Sequence, residues 1–279
     1  MRDSDDALLA AIVPPLARVA GVVGVVLGGS RARGTAAPGS DHDIGLYFAA
    51  DRPLDTDRLL HVARHLVDDP DTVAVTAIGG WGTRIVGGGW LTIQGRKVDL
   101  LYRAVEPVRA VIADCRAGRI AMDYQPGHPH GFCSANWMGE VALCRPLHDP
   151  HGLIAGLKAS AWPYPAELRR ALLRMFLWEV TFSIGNAKTA LARGDQTHIA
   201  GCAYRALCCI AQVLFALNGR YLINEKGALA EAAAMPLTLS GLAERTARIW
   251  SAIGSYALAE ALAELQSLDA ELQALAARA

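Results

Sequence analysis

The chain has 279 residues, of which 52% are hydrophobic and 19% charged, and its 27 basic residues balance its 27 acidic ones. This composition supports a sizeable core and excludes a disordered chain. The formal net charge of zero gives no sign of an extended basic surface for nucleic acid, although it leaves a local basic groove open. The length fits one large domain or two modest ones.

The first half of the chain alternates strand-like and helical hydrophobic periodicity, which predicts an α/β domain. Short runs rich in β-branched or apolar residues predict strands at Val22–Leu27, Asp43–Phe48, Thr72–Ile78, Trp90–Ile93 and Val98–Tyr102. Apolar residues at helical spacing predict helices at Asp5–Ala20, Leu54–Val67 and Pro107–Arg116. Pro14-Pro15 should kink or end the first helix, and Gln94–Lys97 has the composition of a hairpin turn.

The second half of the chain has little strand signal. Helical periodicity is found at Ala166–Arg193, His198–Leu217 and Leu242–Ala277, which predicts a bundle of long antiparallel helices. Turn-forming residues at Asp149-Pro150 indicate a boundary. We therefore predict an α/β domain over residues 1–149, with a small mixed sheet flanked by helices, followed by an all-α domain over residues 150–279.

The sequence predicts neither a signal peptide nor a membrane-spanning helix. Its first residues are acidic, whereas a signal peptide begins with a basic region. The longest apolar stretch, Ala206–Leu217, rises about 1.5 Å per residue as a helix and is too short to span roughly 30 Å of hydrocarbon. We expect a soluble, cytoplasmic protein whose six cysteines, which form no C-x-x-C pair, are buried free thiols.

A glycine-rich turn follows the first predicted strand. Gly28-Gly29 offers bare backbone, and Ser30 opens a short predicted helix whose free N–H groups favour an anion. Arg31 and Arg33 are near enough in sequence to donate charge-assisted hydrogen bonds to a phosphate. The turn therefore predicts a phosphate-binding site, although a Gly-Gly-Ser turn by itself is weak evidence.

Three aspartates follow the turn. Asp41 and Asp43 are two residues apart, so on a strand their side chains point the same way, while His42 points to the opposite face and is not expected to be catalytic. Neighbouring carboxylates repel each other unless a cation lies between them, and hard oxygen ligands suit Mg²⁺ or Mn²⁺. Asp99, on a predicted strand, completes a three-carboxylate cluster if that strand lies beside the first. Asp-x-Asp alone is usually a solvated turn, but here order, spacing and strand placement agree.

The whole pattern resembles the signature of the polymerase β-like nucleotidyltransferases. It has a hydrophobic strand, Gly29-Ser30, a ten-residue spacer, Asp41-x-Asp43 and the later strand residue Asp99, and it covers roughly residues 21–103. The string Gly29–Gly34 is similar to the small bacterial branch, which includes the minimal nucleotidyltransferases and the antibiotic adenylyltransferases. The helical second half is similar in layout to aminoglycoside-modifying members, in which a helical domain closes over the active site.

The resemblance implies a role for each matching residue. Gly29 and Ser30 would hold the nucleoside triphosphate, and Asp41, Asp43 and Asp99 would be the catalytic carboxylates that bind the metal. In such enzymes the acceptor hydroxyl attacks the α-phosphorus of ATP and pyrophosphate leaves.

Two further matches to the family lie outside the motif. Lys226 resembles a lysine that related adenylyltransferases place on the triphosphate, and the alternative is an exposed lysine near a helix end. Some drug-modifying members use a glutamate beyond the motif as the general base. Glu140 is the first candidate for that role here and Glu179 the second.

The identity of the acceptor is left open by the sequence. A small polar acceptor, such as an aminoglycoside or lincosamide antibiotic, fits the domain layout and the neutral charge. The alternatives are a protein or tRNA hydroxyl, as in toxin–antitoxin members, and a nucleotide-binding module without turnover. Some antibiotic-modifying relatives build the site between two subunits, so both a monomer and a homodimer remain open.

Overall fold

The computed structural model describes residues 2–279, with side chains from Asp5 onward, and divides the chain into two compact units. The first unit comprises the chain up to Asp114 together with Met122–Pro163, and the second comprises Cys115–Ala121 and Tyr164–Ala279. The domain boundary at residues 149 and 150 stays a prediction.

The first unit contains a five-stranded mixed sheet, as predicted. The strands of the chain are β1 (Val22–Leu27), β2 (His42–Phe48), β3 (Gly88–Ile93), β4 (Arg96–Ala104), β5 (Met122–Asp123), β6 (Phe132–Cys133) and β7 (Arg145–His148). The sheet has the order β3-β4-β2-β1-β7, while β5 and β6 form a separate two-stranded ribbon. Strands β2 and β4 pair in parallel, and the other neighbours are antiparallel.

The helices before residue 162 flank this sheet. They are α1 (Arg2–Ala17), α2 (Gly29–Arg33), α3 (Thr56–Arg64), α4 (Val105–Arg116), α5 (Ala135–Leu143) and α6 (Leu153–Ala161). The described part of the chain from residue 164 onward is predominantly helical, as predicted. Its helices are α7 (Ala166–Leu191), α8 (Gln196–Leu217), α9 (Ala228–Ala233), α10 (Leu242–Gly254) and α11 (Leu258–Arg278).

The two faces of the sheet differ because successive residues of a strand point to opposite sides. On one face, Ile44, Leu46, Val98 and Leu100 are fully buried in a core that also takes apolar residues from α1 and α3. The other face carries Asp43 and Gly45 on β2, and Asp99, Leu101 and Arg103 on β4. Helices α5 and α6 pack on part of this second face, which we call the polar face.

The hairpin turn between β3 and β4 lies where the sequence predicts it. Gln94 and Gly95 both have positive φ, 52° and 68°, as a two-residue hairpin with right-handed strand twist requires. Their N–H groups each donate to the Asp68 carboxylate at 2.7 Å. The turn therefore fixes the register of the two strands.

Helix α5 is fixed to α6 by Lys158. The ammonium group of Lys158 donates to the carbonyl oxygens of Ala142 at 2.7 Å and Cys144 at 2.6 Å, near the end of α5. The positive charge also suits the negative end of the helix dipole. This contact holds the helix that carries Glu140.

Three sequence predictions need correction. Thr72–Ile78 does not form a strand, because its hydrogen bonds to the sheet do not form a continuous ladder. The N–H of Thr76 donates to the carbonyl oxygen of Gly88 at 2.9 Å. Helix α1 continues through Pro14-Pro15 and ends at Ala17. The segment predicted as one helix from Leu242 is two helices, because the chain turns at Tyr256, where φ is 62°.

Helix α8 is the central helix of the second unit. By length and composition it could cross a membrane, the only such helix among the described residues, but 72% of its most apolar window is buried inside the protein. Its cysteines Cys208 and Cys209 are free and buried, as predicted, and Cys202 is partly exposed. The predicted buried helix at Ala206–Leu217 is confirmed.

Arg245 is an ion-pair centre between α10 and α11. Its side chain is only 10% exposed and binds Glu264, Glu271 at 2.8 Å and Ser267 at 2.8 Å. We predict that Arg245→Ala lowers the free energy of unfolding by about 1–3 kcal/mol, because it removes several charge-assisted bonds at once. Urea denaturation followed by circular dichroism measures this change.

The matched control is Arg248→Ala, because Arg248 contacts the same Glu264 at 3.5 Å from a side chain that is 60% exposed. Exposed ion pairs contribute little, so this variant should stay within about 0.5 kcal/mol of the wild type. Equal destabilisation by both variants would contradict a central role for Arg245.

Candidate active site

Parallel pairing of β2 and β4 brings Asp43 and Asp99 side by side. The two residues are direct partners in the register of the strands, so their carboxylates share the polar face. Asp41 immediately precedes β2, and its negative charge contributes to the raised pKa of Asp43. The structure thus brings the three predicted aspartates close enough to interact electrostatically.

The pKa of Asp43 reflects the burial of its carboxylate and the negative charges around it. Burial, together with the negative charges of Asp99, Glu140 and Asp41, raises the pKa of the Asp43 carboxyl to about 6. Arg103 acts in the opposite direction but does not cancel the effect. A cation bound here would offset both the burial and the repulsion.

The glycine turn lies directly against Asp43. The N–H of Gly28 donates to the Asp43 carbonyl oxygen at 2.7 Å, and Gly29 opens α2 with a φ of 58°. A Cβ atom at position 29 would lie 1.8 Å from Oδ2 of Asp43. Glycine is therefore required at 29 both by its backbone conformation and by the closeness of the carboxylate.

Arg31 holds the loop that carries Asp41. Its guanidinium donates to the carbonyl oxygens of Ser40, at 2.7 Å from the terminal nitrogen, and Asp41, at 3.1 Å from Nε. It also forms an ion pair with Asp5 of α1 at 2.6 Å. The phosphate contact predicted for Arg31 stays a prediction, as do those of the partly buried Ser30 and Arg33.

His42 lies on the face opposite to the aspartates. Its ring is almost fully buried and lies 3.3 Å from both the Lys97 carbonyl oxygen and the Asp5 carboxylate. Burial, together with the charge of Arg31, lowers its pKa. Its position supports a structural role that links β2 to α1.

Glu140 reaches the polar face from α5. Arg103 of β4, only 3% exposed, binds one oxygen of Glu140, Oε2, through Nε at 3.0 Å and a terminal nitrogen at 2.7 Å. The ion pair lies near enough to Asp43 for both charges to affect its pKa. Sequence analysis missed Arg103, although it is four residues after Asp99 and so shares its face.

Two other candidate residues lie in the second unit. Lys226 is exposed in the segment before α9, where its N–H donates to Asn224 Oδ1 at 2.7 Å. Glu179 of α7 forms an ion pair with Arg205 of α8. Their predicted functional roles stay predictions.

The carboxylates fit a divalent cation by their chemistry. Asp43 and Asp99 offer paired hard oxygen donors, and the positive charge of Arg103 offsets only part of the burial and repulsion that raise the pKa of Asp43. Within the described residues, however, no three His, Cys, Asp or Glu side chains already stand in a metal-binding arrangement.

The pKa of Asp43 predicts how stability depends on pH in the metal-free protein. The pKa of Asp43 is about 6 in the folded chain, above the ordinary aspartate value of 3.8, so the folded state binds the proton more tightly than the unfolded chain does. We predict that the free energy of unfolding falls by about 2–3 kcal/mol as pH rises from about 4 to 7. Asp43→Asn removes this contribution and raises the melting temperature at pH 7.5.

Thermal denaturation in EDTA at several pH values tests this prediction, with the exposed Asp51→Asn as the control that keeps the wild-type pH dependence. A melting temperature that is lower in Asp43→Asn than in the wild type at pH 7.5 would show that the carboxylate stabilises the metal-free fold.

The match of one family model agrees with this geometry. Residues 13–79, which include β1, α2 and β2, match the family model of the nucleotidyltransferase domain, and residues 137–226 match a domain of unknown function (DUF4037). A crystal structure of a nucleotidyltransferase-like protein from Exiguobacterium sibiricum 255-15 is similar at 11% identity and a TM-score of 0.40, over 93% of this chain and 71% of that one. A search of curated proteins finds no match. The family match shows that residues 13–79 are similar to a nucleotidyltransferase domain, which supports the resemblance to the polymerase β-like superfamily.

Proposed function

We propose that the protein transfers AMP from ATP to a hydroxyl group of a small polar acceptor, such as an aminoglycoside or a lincosamide, with Mg²⁺ or Mn²⁺. The observation that carries the proposal is the in-register pair of Asp43 and Asp99 beside the Gly29 turn. Nucleotidyl transfer needs carboxylates for a divalent cation next to backbone that a phosphate can approach, and this arrangement offers both.

Each residue of the motif has a role in this proposal. Asp41, Asp43 and Asp99 would hold the metal, which would supply positive charge to the phosphates and lower the pKa of the attacking hydroxyl. Gly29 and Ser30 hold the triphosphate. Arg31 keeps the Ser40–Asp41 backbone in place, because its donors are directed at those carbonyl oxygens.

Arg33 and Lys226 remain the candidates for direct contact with phosphate. Arg33 is partly buried at the end of α2, and Lys226 is exposed in the second unit. An arginine can bind two phosphate oxygens at once, whereas a lysine acts as a compact charge. Both would offset the charge of the triphosphate.

Glu140 is the candidate general base. Arg103 binds only Oε2 of Glu140, which leaves Oε1 to accept the proton of the acceptor hydroxyl. The side chain is 28% exposed, so an acceptor can reach it. Asp99 is the alternative base, because it shares the polar face with Asp43.

Label transfer from α-labelled ATP with Mg²⁺ tests the proposed activity across aminoglycosides, lincosamides, tRNA and cell lysate. We expect transfer to a small molecule, with Asp43→Asn and Asp99→Asn at least about 1,000-fold slower because each loses a metal ligand. Asp51→Asn should retain activity. Transfer to a macromolecule would support the protein or tRNA acceptor instead, and near-normal turnover in Asp43→Asn would contradict the assignment.

The two candidate bases outside the motif are separated by a matched pair of variants. We predict that Glu140→Gln lowers kcat by roughly 100- to 10,000-fold and flattens the acidic limb of the pH–rate profile, because the amide cannot accept the proton. Glu179→Gln, bound to Arg205 in the second unit, should keep the wild-type profile. Normal profiles in both Glu140→Gln and Glu179→Gln would assign the base to Asp99, and a changed profile in Glu179→Gln alone would assign it to Glu179.

A further inference from the structure

A row of side chains crosses the polar face of the sheet and ends in a tryptophan. Asp43 of β2 pairs with Asp99 of β4, and Asp99 pairs with Trp90 of β3. Direct partners on neighbouring strands place their side chains on the same face, about 5 Å apart. Trp90 therefore stands next to the carboxylates, and its side chain is 70% exposed.

Trp90 is stacked on a second tryptophan, Trp81, from the loop before β3. The two ring centroids are 4.5 Å apart with an interplanar angle of 25°. Trp81 packs over Gly88, where a Cβ atom would come within 2.7 Å of the indole ring. We call Trp81 and Trp90 the indole pair.

The loop that carries Trp81 is held by a buried glutamine. Gln125, 2% exposed, donates to the Trp81 carbonyl oxygen at 2.8 Å and accepts from the Ile85 N–H at 3.2 Å. Arg84 in the same loop forms an ion pair with Asp123. The indole pair is therefore preformed, which lowers the entropic cost of binding a ligand.

A structural role alone does not explain the exposure of Trp90. A large aromatic ring that only covered the edge of the sheet would gain stability by being buried. The inward residues of the same strand, Leu91 and Ile93, are 4% and 2% exposed, so β3 buries its apolar side chains where it contacts the core. The exposed indole thus offers a flat apolar surface beside charged groups, as a ligand site does.

The geometry of the displacement indicates which of the two substrates contacts the indole pair. This step rests on the proposed function. The Gly29 turn, which would hold the triphosphate, touches Asp43 at one end of the row. In an in-line displacement the attacking oxygen lies opposite the leaving pyrophosphate. The acceptor therefore approaches over Asp99, on the side of Trp90.

We propose that the indole pair is the acceptor-binding surface and that the acceptor hydroxyl belongs to a sugar ring, from either a glycoside or a nucleoside. Trp90 lies only one strand spacing, about 5 Å, from Asp99. The chemical group that stacks on Trp90 must therefore carry the attacking hydroxyl itself, or be joined directly to the ring that carries it. A serine or threonine hydroxyl on a flexible peptide offers no such face. Thr92 and Lys97, exposed partners on the same face, add polar contacts.

Binding without turnover gives the first test. The full-length protein is labelled with 5-fluorotryptophan, and the Trp90 signal is assigned by Trp90→Phe. Kanamycin, lincomycin, adenosine, cytidine, a short RNA and a serine-containing peptide are then added with Mg²⁺ and α,β-methylene ATP. At least one sugar-ring probe should shift the Trp90 signal and leave the Trp250 signal in place, and the peptide should not. No shift with any sugar-ring probe would overturn the proposal.

The kinetic test uses the acceptor that receives label in the transfer assay. Trp90→Ala should raise the acceptor KM roughly 10- to 100-fold, the size expected for loss of one stacked ring, while the KM for ATP is unchanged. Trp90→Phe should restore most of the affinity, and Trp250→Ala, an exposed tryptophan of the second unit, should change neither constant.

The outcomes separate the two proposals. If the wild type neither binds the ATP analogue nor transfers label, the proposed function fails. If it transfers label and Trp90→Ala has a wild-type acceptor KM, the function stands and the indole pair is not the acceptor-binding surface. Activity against glycosides alone, or against nucleosides and RNA ends alone, would identify the source of the sugar ring.

Discussion

The parallel pairing of β2 with β4 is the constraint on which the rest of the first unit depends. It places Asp43 directly beside Asp99, and the raised pKa of Asp43 shows that this arrangement costs free energy. The same strands offset that cost on their other face, where Ile44 and Leu100 are fully buried. A sheet that is apolar on one side can therefore hold repelling carboxylates on the other.

Asp5 links the start of the chain to the motif. It binds Arg31 at 2.6 Å and lies 3.3 Å from His42 and 3.5 Å from Arg96. Through Arg31 it is connected to the carbonyl oxygens on which the position of Asp41 depends. Helix α1 thus supports the site through Asp5.

The sequence predicted the fold better than it predicted the site. Strand β1 and the Gln94-Gly95 turn were predictable because β-branched runs and two-residue turns are local signals. The same turn makes Trp90 the cross-strand partner of Asp99, and this pairing could have been predicted by counting residues back from the turn. The structural role of Arg31 was not predictable from the sequence, because its ion-pair partner Asp5 is 26 residues away and the contact depends on how α1 packs.

Lys158 has a consequence for the covalent chemistry of the protein. The chain has four lysines, and the other three, Lys97, Lys188 and Lys226, are exposed. Lys158 alone directs its ammonium group at helix-end carbonyl oxygens. An amine-acylating reagent should therefore label the three exposed lysines faster than Lys158 in the native protein, and the labelling of Lys158 should speed up when α5 detaches. Mass spectrometry of the labelled chain would thus report on the integrity of the helix that carries Glu140.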